Sequence, residues 1–179
     1  MQRMVEEGKA RFLGITAWDG HREVVEALLS SGAFHTAQIL YNMLNQTAAF
    51  APPGKFDGVD QGEAIPIARR NDIGIIGIRA HAAGALVDQL DRNVAPGSEV
   101  ARDFARSRKL GFLKKGPYGT LSQVALRFCL DNPHIATVVP GIKSVAEVEE
   151  IAACFELPPL DRQDMAKLQQ MYQRDFKEA

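Results

Sequence analysis

The apolar segment Ile73–Ile78 restricts the fold more than any other part of the sequence. It contains only isoleucine and glycine, so neither of its faces carries a polar side chain. A strand-length run without alternation is typical of a strand that is covered on both sides, as strands in parallel sheets are. Parallel neighbours need a long crossover connection, which is usually a helix. The sequence therefore predicts an α/β protein with a parallel sheet.

Most of the remaining chain repeats one unit, in which an apolar strand is followed by a turn and a helix. The predicted strands are Arg11–Thr16, Thr36–Asn42, Ile73–Arg79 and Ile135–Pro140. The predicted helices are His21–Ser30, Glu63–Arg70, Glu99–Ser107, Thr120–Cys129, Ser144–Cys154 and a last one carrying Met165, Leu168 and Tyr172 on one side. Thr120 is a predicted N-cap, and Ser144 forms a predicted capping box with Glu147. The polar segment 45–61 is predicted to be a long loop.

Two architectures fit this pattern, an open doubly wound sheet and part of a (β/α)8 barrel. Polar residues stand at or just after the carboxyl end of each predicted strand, namely Thr16, Asn42, Arg79 and Lys143. In barrels that edge carries the active site, although strands also end simply where polarity begins. A complete barrel takes about 250 residues and eight strands. The 179 residues of this chain would make half a barrel, a single domain over residues 1–179 with two unpaired strand edges.

Composition excludes several classes of function. The chain has 21 basic and 22 acidic residues, without the basic excess that a nucleic-acid binder needs. No apolar run approaches the roughly 20 residues of a membrane-spanning helix, and the first nine residues lack the apolar core of a signal peptide. The two cysteines, Cys129 and Cys154, are predicted to be reduced and buried. We expect a cytoplasmic protein that binds no nucleic acid, no membrane and no metal.

Five segments, taken in chain order, are similar to the second half of an aldo-keto reductase. They are Gly8–Thr16, Gln38–Asn42, Ile73–Leu86, Ala125–Phe128 and Val138–Gly141, followed by a helix with Glu147 and Glu150. The resemblance covers essentially the whole chain and implies strands five to eight of a (β/α)8 barrel, with extra C-terminal helices. It also implies an oxidoreductase that reduces aldehydes or ketones by hydride transfer from NADP(H), or from NAD(H).

The same resemblance implies that the catalytic Asp, Tyr, Lys and His come from strands that this chain lacks. No catalytic residue is therefore predicted here, and the isolated chain is expected to be inactive. The alternative is a non-catalytic half barrel that binds a nucleotide or another protein. The expected partners are a second copy or the missing half, and a small carbonyl substrate if a complete barrel forms.

The resemblance assigns cofactor-binding roles to residues at the strand ends. Thr16 and Gln38 would bind the nicotinamide carboxamide, and Ile78 replaces the aromatic ring that many members stack on the nicotinamide. Arg79 would contact phosphate or an acidic substrate, unless it pairs with Asp72 or another local carboxylate instead. Alanine stands at position 17 in place of the usual asparagine, which weakens the expected hold on the carboxamide.

At the adenosine end the resemblance assigns Gly141, Ile142 and Lys143 to the phosphate loop, with Lys143 facing a ribose 2′-phosphate. Glu147 would repel that phosphate and favour NAD(H), although a role in capping the helix explains a glutamate at this position equally well. Glu150 would bind the adenine amino group, or else be a solvated helix residue.

Three further features near these strand ends have two interpretations each. The small-residue run 80–84 either wraps the cofactor pyrophosphate or is a simple loop. Trp18 either lines a substrate pocket or packs on a helix. For His81 a structural or solvated role is favoured over a catalytic one.

Overall fold

The computed structural model describes residues 1–18, 21–88 and 93–177, without the side chain of Lys115. Its sheet has four strands in the order β1-β2-β3-β4, and each neighbouring pair is parallel. The strands are β1 (Gly14–Ala17), β2 (Thr36–Leu40), β3 (Gly74–Ile78) and β4 (Ile135–Val139). Sequential strands are thus spatial neighbours joined by crossovers, which is the arrangement of a segment of a (β/α)8 barrel.

In the described parts of the chain, seven α-helices accompany the strands. They are α1 (Gln2–Glu6), α2 (Arg22–Leu29), α3 (Ala64–Arg70), α4 (Glu99–Ser107), α5 (Leu121–Leu130), α6 (Val145–Ala153) and α7 (Arg162–Gln173). Short 3₁₀ segments cover Ala82–Gly84, Arg108–Lys115 and Cys154–Glu156. All four predicted strands and all six predicted helices are present. Helix α1 and the 3₁₀ segments were not predicted, because short helices without a clear apolar face leave little trace in a sequence.

Two predicted strand limits are wrong by two residues or more, for identifiable reasons, and the others differ by at most one residue. Strand β1 begins at Gly14 rather than Arg11, because its pairing partner β2 begins at Thr36, opposite Gly14. Strand β2 ends at Leu40 because the Asn42 side chain accepts hydrogen bonds from the backbone N–H groups of Leu44 and Asn45, both at 2.9 Å. An Asx turn of this kind draws the backbone away from the ladder.

The predicted N-caps lie where the sequence placed them. Thr120 accepts from the backbone of Gln123, whose side chain bonds back to the Thr120 backbone in a capping box. Ser144 accepts from the Glu147 backbone at 3.2 Å, but the Glu147 carboxylate turns to the N–H of Lys143 rather than to that of Ser144. The Glu147 side chain of the predicted capping box therefore bonds to the residue before the N-cap rather than to the N-cap itself.

The core lies on one side of the sheet. Ala37, Ile39 and Ile75 point toward the helices and are buried, together with Leu126 and Leu168. On the opposite side, side chains in register form rows across the sheet, such as Thr16, Gln38, Ile76 and Thr137. Within the described ranges no second layer covers these rows, which in a closed barrel would be the interior.

The two cysteines behave as the sequence predicts. Cys129 and Cys154 are both free and buried, and burial raises the pKa of the Cys129 thiol. Among the described residues, no helix has both the length and the apolar character needed to cross a membrane.

Candidate functional site

A cavity of about 980 Å³ opens at the carboxyl ends of the strands. It lies between the strand ends, the loop after β3 and the first turns of α5 and α6. Its volume is at the upper end of the range for small-molecule and cofactor sites. Every residue that the sequence assigned to a cofactor lines it, namely Thr16, Gln38, Ile78, Arg79, Gly141, Ile142, Lys143, Glu147 and Glu150.

Thr16 and Gln38 form a polar pair at one end of the cavity. They are direct partners in the β1–β2 register, and the Thr16 hydroxyl donates to the Gln38 Oε1 atom at 3.3 Å. The bond fixes the amide so that its NH₂ group, which no described residue accepts from, is available to a ligand. Ile78 adds an apolar surface from the end of β3.

The turn after β3 places Arg79 over the cavity. Arg79 has a φ of +60°, in the left-handed region that side chains disfavour. Its carbonyl accepts from the Asn42 side chain at 2.9 Å and from the Ala82 N–H at 2.8 Å, which holds the turn in place. Such strained backbone is common at ligand sites.

The Arg79 guanidinium stacks on the Trp18 ring, with its central carbon 4.2 Å from the ring centroid. Among the described residues no carboxylate forms an ion pair with it, and Asp72 in particular does not. Trp18 also lines the cavity. The stack therefore presents at the cavity wall a positive charge that no carboxylate of the described residues pairs with.

The opposite end of the cavity is formed by the loop after β4 and the first turns of α6. Lys143 and Glu147 lie side by side there, since the Glu147 carboxylate accepts from the Lys143 N–H at 2.5 Å. Glu150, one turn further along α6, accepts from the Thr120 hydroxyl at 2.5 Å. Glu150 is thus anchored to the N-cap of α5, and a purely solvated role for it is wrong.

Between the two ends, the loop after β3 faces α5. Ala82 and Ala83 both have positive φ, and their small side chains leave the backbone close to the cavity. His81 lines this middle part, with its Nε2 atom 3.2 Å from the Ser122 hydroxyl. Burial lowers the pKa of His81, so the imidazole is neutral at pH 7.

Several cavity residues were missed by sequence reasoning. Thr120, Ser122 and Asp88 line the cavity, although only the capping role of Thr120 was predicted. Asp88 pairs with Lys114 and accepts from the Leu121 N–H at 3.1 Å. These residues are ordinary polar side chains in helix-start or loop positions, and no local sequence signal separates them from capping residues.

The fold and this cavity define a class, the parallel α/β proteins that bind ligands at the carboxyl ends of their strands. A sequence model of the Aldo/keto reductase family matches residues 1–173. The chain therefore belongs to the aldo/keto reductase family.

Two kinds of relative support this assignment. The chain is 25% identical to L-galactose dehydrogenase of Arabidopsis thaliana over 172 residues, covering 89% of this chain and 47% of that protein. The holo form of aldo-keto reductase AKR11C1 from Bacillus halodurans superposes with a TM-score of 0.70 at 19% identity, covering 96% of this chain and 53% of that one.

A third relative was solved with a cofactor. It is an aldo-keto reductase from Klebsiella pneumoniae in complex with NADPH, with a TM-score of 0.61 at 18% identity over 97% of this chain and 52% of that one. The structural neighbours are (β/α)8 barrels, so the predicted fold class, half of such a barrel, is confirmed. The chain spans about half the length of the relatives it matches.

Proposed function

We propose that this chain is the cofactor-holding half of an NAD(P)H-dependent oxidoreductase that reduces carbonyl compounds. The observation that carries the proposal is the single cavity that gathers all the residues assigned to the cofactor from the sequence. Membership of the aldo/keto reductase family supports the reaction class. The NADPH bound by the Klebsiella pneumoniae neighbour supports the cofactor class.

The residues of the cavity suit a nicotinamide dinucleotide. The amide of Gln38 matches a carboxamide, which both donates and accepts hydrogen bonds. The guanidinium of Arg79 matches a diphosphate, and Lys143 offers a second cation at the other end. The backbone of the loop after β3, with its alanines in left-handed conformation, allows a phosphate chain to approach closely.

The cofactor would supply the hydride, and the task of this chain is to bind and orient it. Thr16 holds the Gln38 amide through the hydrogen bond already described, which fixes the rotation of a carboxamide bound to it. The side chain of Ile78 would offer the nicotinamide an apolar surface, without the π-face that an aromatic residue would provide. Orientation of this kind converts binding energy into reaction rate.

We place the proton-donating Asp, Tyr, Lys and His set outside these residues, as the family resemblance implies. The purified chain is then expected to bind NADPH or NADH and to leave a simple aldehyde unreduced. Fluorescence titration with each dinucleotide tests the first expectation, and an absorbance assay of dinucleotide oxidation tests the second. Failure of both dinucleotides to bind would reject the proposal. Turnover of the aldehyde would reject only the claim that the catalytic set lies outside these residues. We also propose a cytoplasmic location, which the buried free thiols support.

Glu147 is expected to set the preference between the two dinucleotides. Its carboxylate lies at the N–H of Lys143, where a 2′-phosphate would bind, and like charges at this exposed site repel by about 1 kcal/mol. The substitution Glu147→Gln keeps the size and removes the charge. We expect roughly fivefold tighter NADPH binding, with NADH binding changed less, measured by calorimetric titration.

A matched control uses the same helix. Glu149→Gln removes an exposed charge from α6 at a residue outside the cavity lining. It is expected to leave the ratio of NADPH to NADH affinity unchanged. Equal ratios in all three proteins would show that Glu147 serves only as a helix cap.

A second candidate function is a half barrel that assembles with another copy of itself. Helix α6 has no buried residue, and its apolar side chains face solvent. Val145 is 74% exposed, and Val148 and Phe155, which follows the helix, are also largely exposed. Phe12, Val24 and Leu28 are exposed beside the opposite edge of the sheet, at β1 and α2. Apolar surface at both edges is the observation that favours assembly.

Two copies related by a twofold axis along the axis of the barrel could pair both unpaired edges of each sheet at once. The β4 edge of each copy would meet the β1 edge of the other, giving eight parallel strands. Helices run opposite to strands, so Phe155 and Glu156, which follow α6, lie at the same end as Arg11 and Phe12, which precede β1. At each junction Phe155 of one copy would thus meet Phe12 of the other. Glu156 would meet Arg11, which carries the opposite charge.

Sedimentation equilibrium tests this assembly. The wild-type chain is expected to form a dimer, and Phe155→Asp is expected to raise the dissociation constant at least about 10-fold. Phe50→Asp, at an exposed position on the long loop, is the matched control. A folded wild-type monomer at every concentration would remove this candidate.

A further inference from the structure

We infer that His81 binds the diphosphate of the dinucleotide and takes up a proton when the cofactor binds. Cofactor affinity would then rise as the pH falls. The inference rests on the proposed function, because it concerns the same cavity. It gives this chain a pH-dependent binding residue in place of the structural or solvated role that the sequence favoured.

The position of His81 carries the first part of the inference. His81 follows Arg79 by two residues and lines the cavity between the Thr16–Gln38 pair and Lys143. A dinucleotide that extends from one end to the other places its diphosphate in this middle part. Among the described residues of the loop after β3 that line the cavity here, Arg79 and His81 have side chains able to donate to an anion, whereas Ala80, Ala83 and Gly84 do not.

The backbone around His81 is fixed before any ligand arrives. Its carbonyl accepts from the Gly84 N–H at 2.9 Å and from the Leu86 N–H at 3.1 Å. Ala82 and Ala83 follow in left-handed conformation, which side chains adopt at an energetic cost. The imidazole therefore projects from a rigid turn.

Ser122 orients the ring. Its hydroxyl is 3.2 Å from the Nε2 atom, and the residue is only 5% exposed. No other described side chain hydrogen-bonds to the imidazole. One ring nitrogen is thus occupied by a hydroxyl that can either donate or accept, which suits both the neutral and the protonated ring.

Burial keeps His81 neutral until an anion enters, although the nearby carboxylates of Glu150 and Glu147 favour its charged form. The acidic residues of the cavity are Asp88, Glu147 and Glu150, and each already has a partner: Lys114, the Lys143 N–H and the Thr120 hydroxyl, respectively. The basic ones are Arg79 and Lys143. No carboxylate forms an ion pair with the imidazole among the described residues, and burial disfavours its charged form.

A bound diphosphate would reverse this balance. Its negative charge stabilises the imidazolium and raises the pKa of His81 in the complex above that in the free protein. Between those two pKa values the complex binds more protons than the free protein, so affinity increases as the pH falls. The increase can reach about 10-fold per pH unit while one proton is taken up.

Calorimetric titration with NADH measures this proton directly. NADH is chosen because its diphosphate does not titrate near neutrality, unlike the 2′-phosphate of NADPH. Titrations in two buffers with different ionisation enthalpies are expected to show uptake of a fraction of a proton per wild-type chain near pH 6.5. His81→Gln keeps a hydrogen-bonding side chain without the charge, and it is expected to abolish the uptake.

Two controls separate His81 from other sources of protons. His134→Gln alters a histidine that precedes β4, at the amino end of the sheet, and it is expected to bind NADH with wild-type uptake. Adenosine, which carries no diphosphate, is expected to bind without uptake if it binds at all. In NMR titrations of the wild type, the pKa of His81 is expected to rise when NADH is present.

These experiments distinguish a failure of the inference about His81 from a failure of the proposed function. Wild-type and His81→Gln proteins that bind NADH with the same proton uptake would overturn the inference and leave the proposed function intact. A wild-type chain that binds neither NADH nor NADPH would overturn both. A pKa of His81 that is unmoved by bound NADH would likewise reject the inference, even where the His81→Gln protein fails to fold.

Discussion

Replacing Arg79 with methionine is expected to weaken dinucleotide binding by about 10- to 100-fold, since hydrogen bonds to charged groups contribute about 1.5–3 kcal/mol. The guanidinium stacks on Trp18 and forms no ion pair with a described carboxylate, so its charge is available to phosphate. Methionine keeps much of the length of the side chain and removes both the charge and the planar donor set. Calorimetric or fluorescence titration with NADH and NADPH measures the loss.

Two comparisons make this result specific. Arg79→Lys keeps the charge but loses the bidentate geometry and the stack, so an intermediate loss is expected. Arg70→Met changes an exposed arginine in the last turn of α3, outside the cavity, and is expected to bind as the wild type does. Wild-type affinity in Arg79→Met, with an unchanged circular dichroism spectrum, would show that the cofactor phosphates lie elsewhere.

Replacing Arg106 with methionine is expected to destabilise the fold by about 3–5 kcal/mol, the usual effect of removing one partner from a buried ion pair. Arg106 is only 8% exposed, and its guanidinium bonds to Asp175 at 2.5 Å and to Asp103 at 3.1 Å. It also donates to the Asp57 carbonyl at 3.1 Å. One side chain therefore connects α4, the long loop and the segment after α7.

Thermal unfolding measures this effect. For a chain of this size a loss of 3–5 kcal/mol corresponds to a fall in Tm of roughly 6–20 °C. Arg108→Met, at an exposed position two residues away, is the matched control and is expected to change Tm little. Combining Arg106→Met with Asp175→Asn should recover part of the loss, because the second change removes a buried carboxylate whose remaining ion-pair partner is the exposed Lys177, and asparagine tolerates the positive φ of position 175. A single-variant loss below about 1 kcal/mol would show that the ion pair contributes little.

Much of the fold is predictable from local patterns. The isoleucine and glycine run that became β3 predicts a strand of a parallel sheet, and the sheet is parallel, although among the described residues helices cover only one of its faces. Helix α4 has the predicted limits, and it begins at Glu99 because Ser98 is an N-cap whose hydroxyl accepts from the Ala101 N–H. Caps and strand periodicity involve residues only a few positions apart, so the sequence displays them directly.

The candidate site was predictable only as a set of strand-end residues. Parallel strands end at the same edge, so Thr16, Asn42, Arg79 and Lys143 had to share an edge of the sheet once their strands were assigned. The resemblance added Gln38, Glu147 and Glu150, and the structure brings all of these residues except Asn42 to one cavity. Their binding roles stay predictions until the titrations are made.

The sequence by itself determined the parallel α/β architecture and the edge of the sheet at which the cavity lies, since both follow from which residues are apolar and where the strands end. The tertiary structure alone decided which partner each side chain took. Trp18 meets Arg79 across two strands, His81 meets Ser122 from a helix 41 positions later, and Arg106 meets Asp175 at a separation of 69. Such pairs depend on the packing of distant elements, because the direction of a side chain and its distance to a partner are set by the whole fold rather than by its neighbours in the chain.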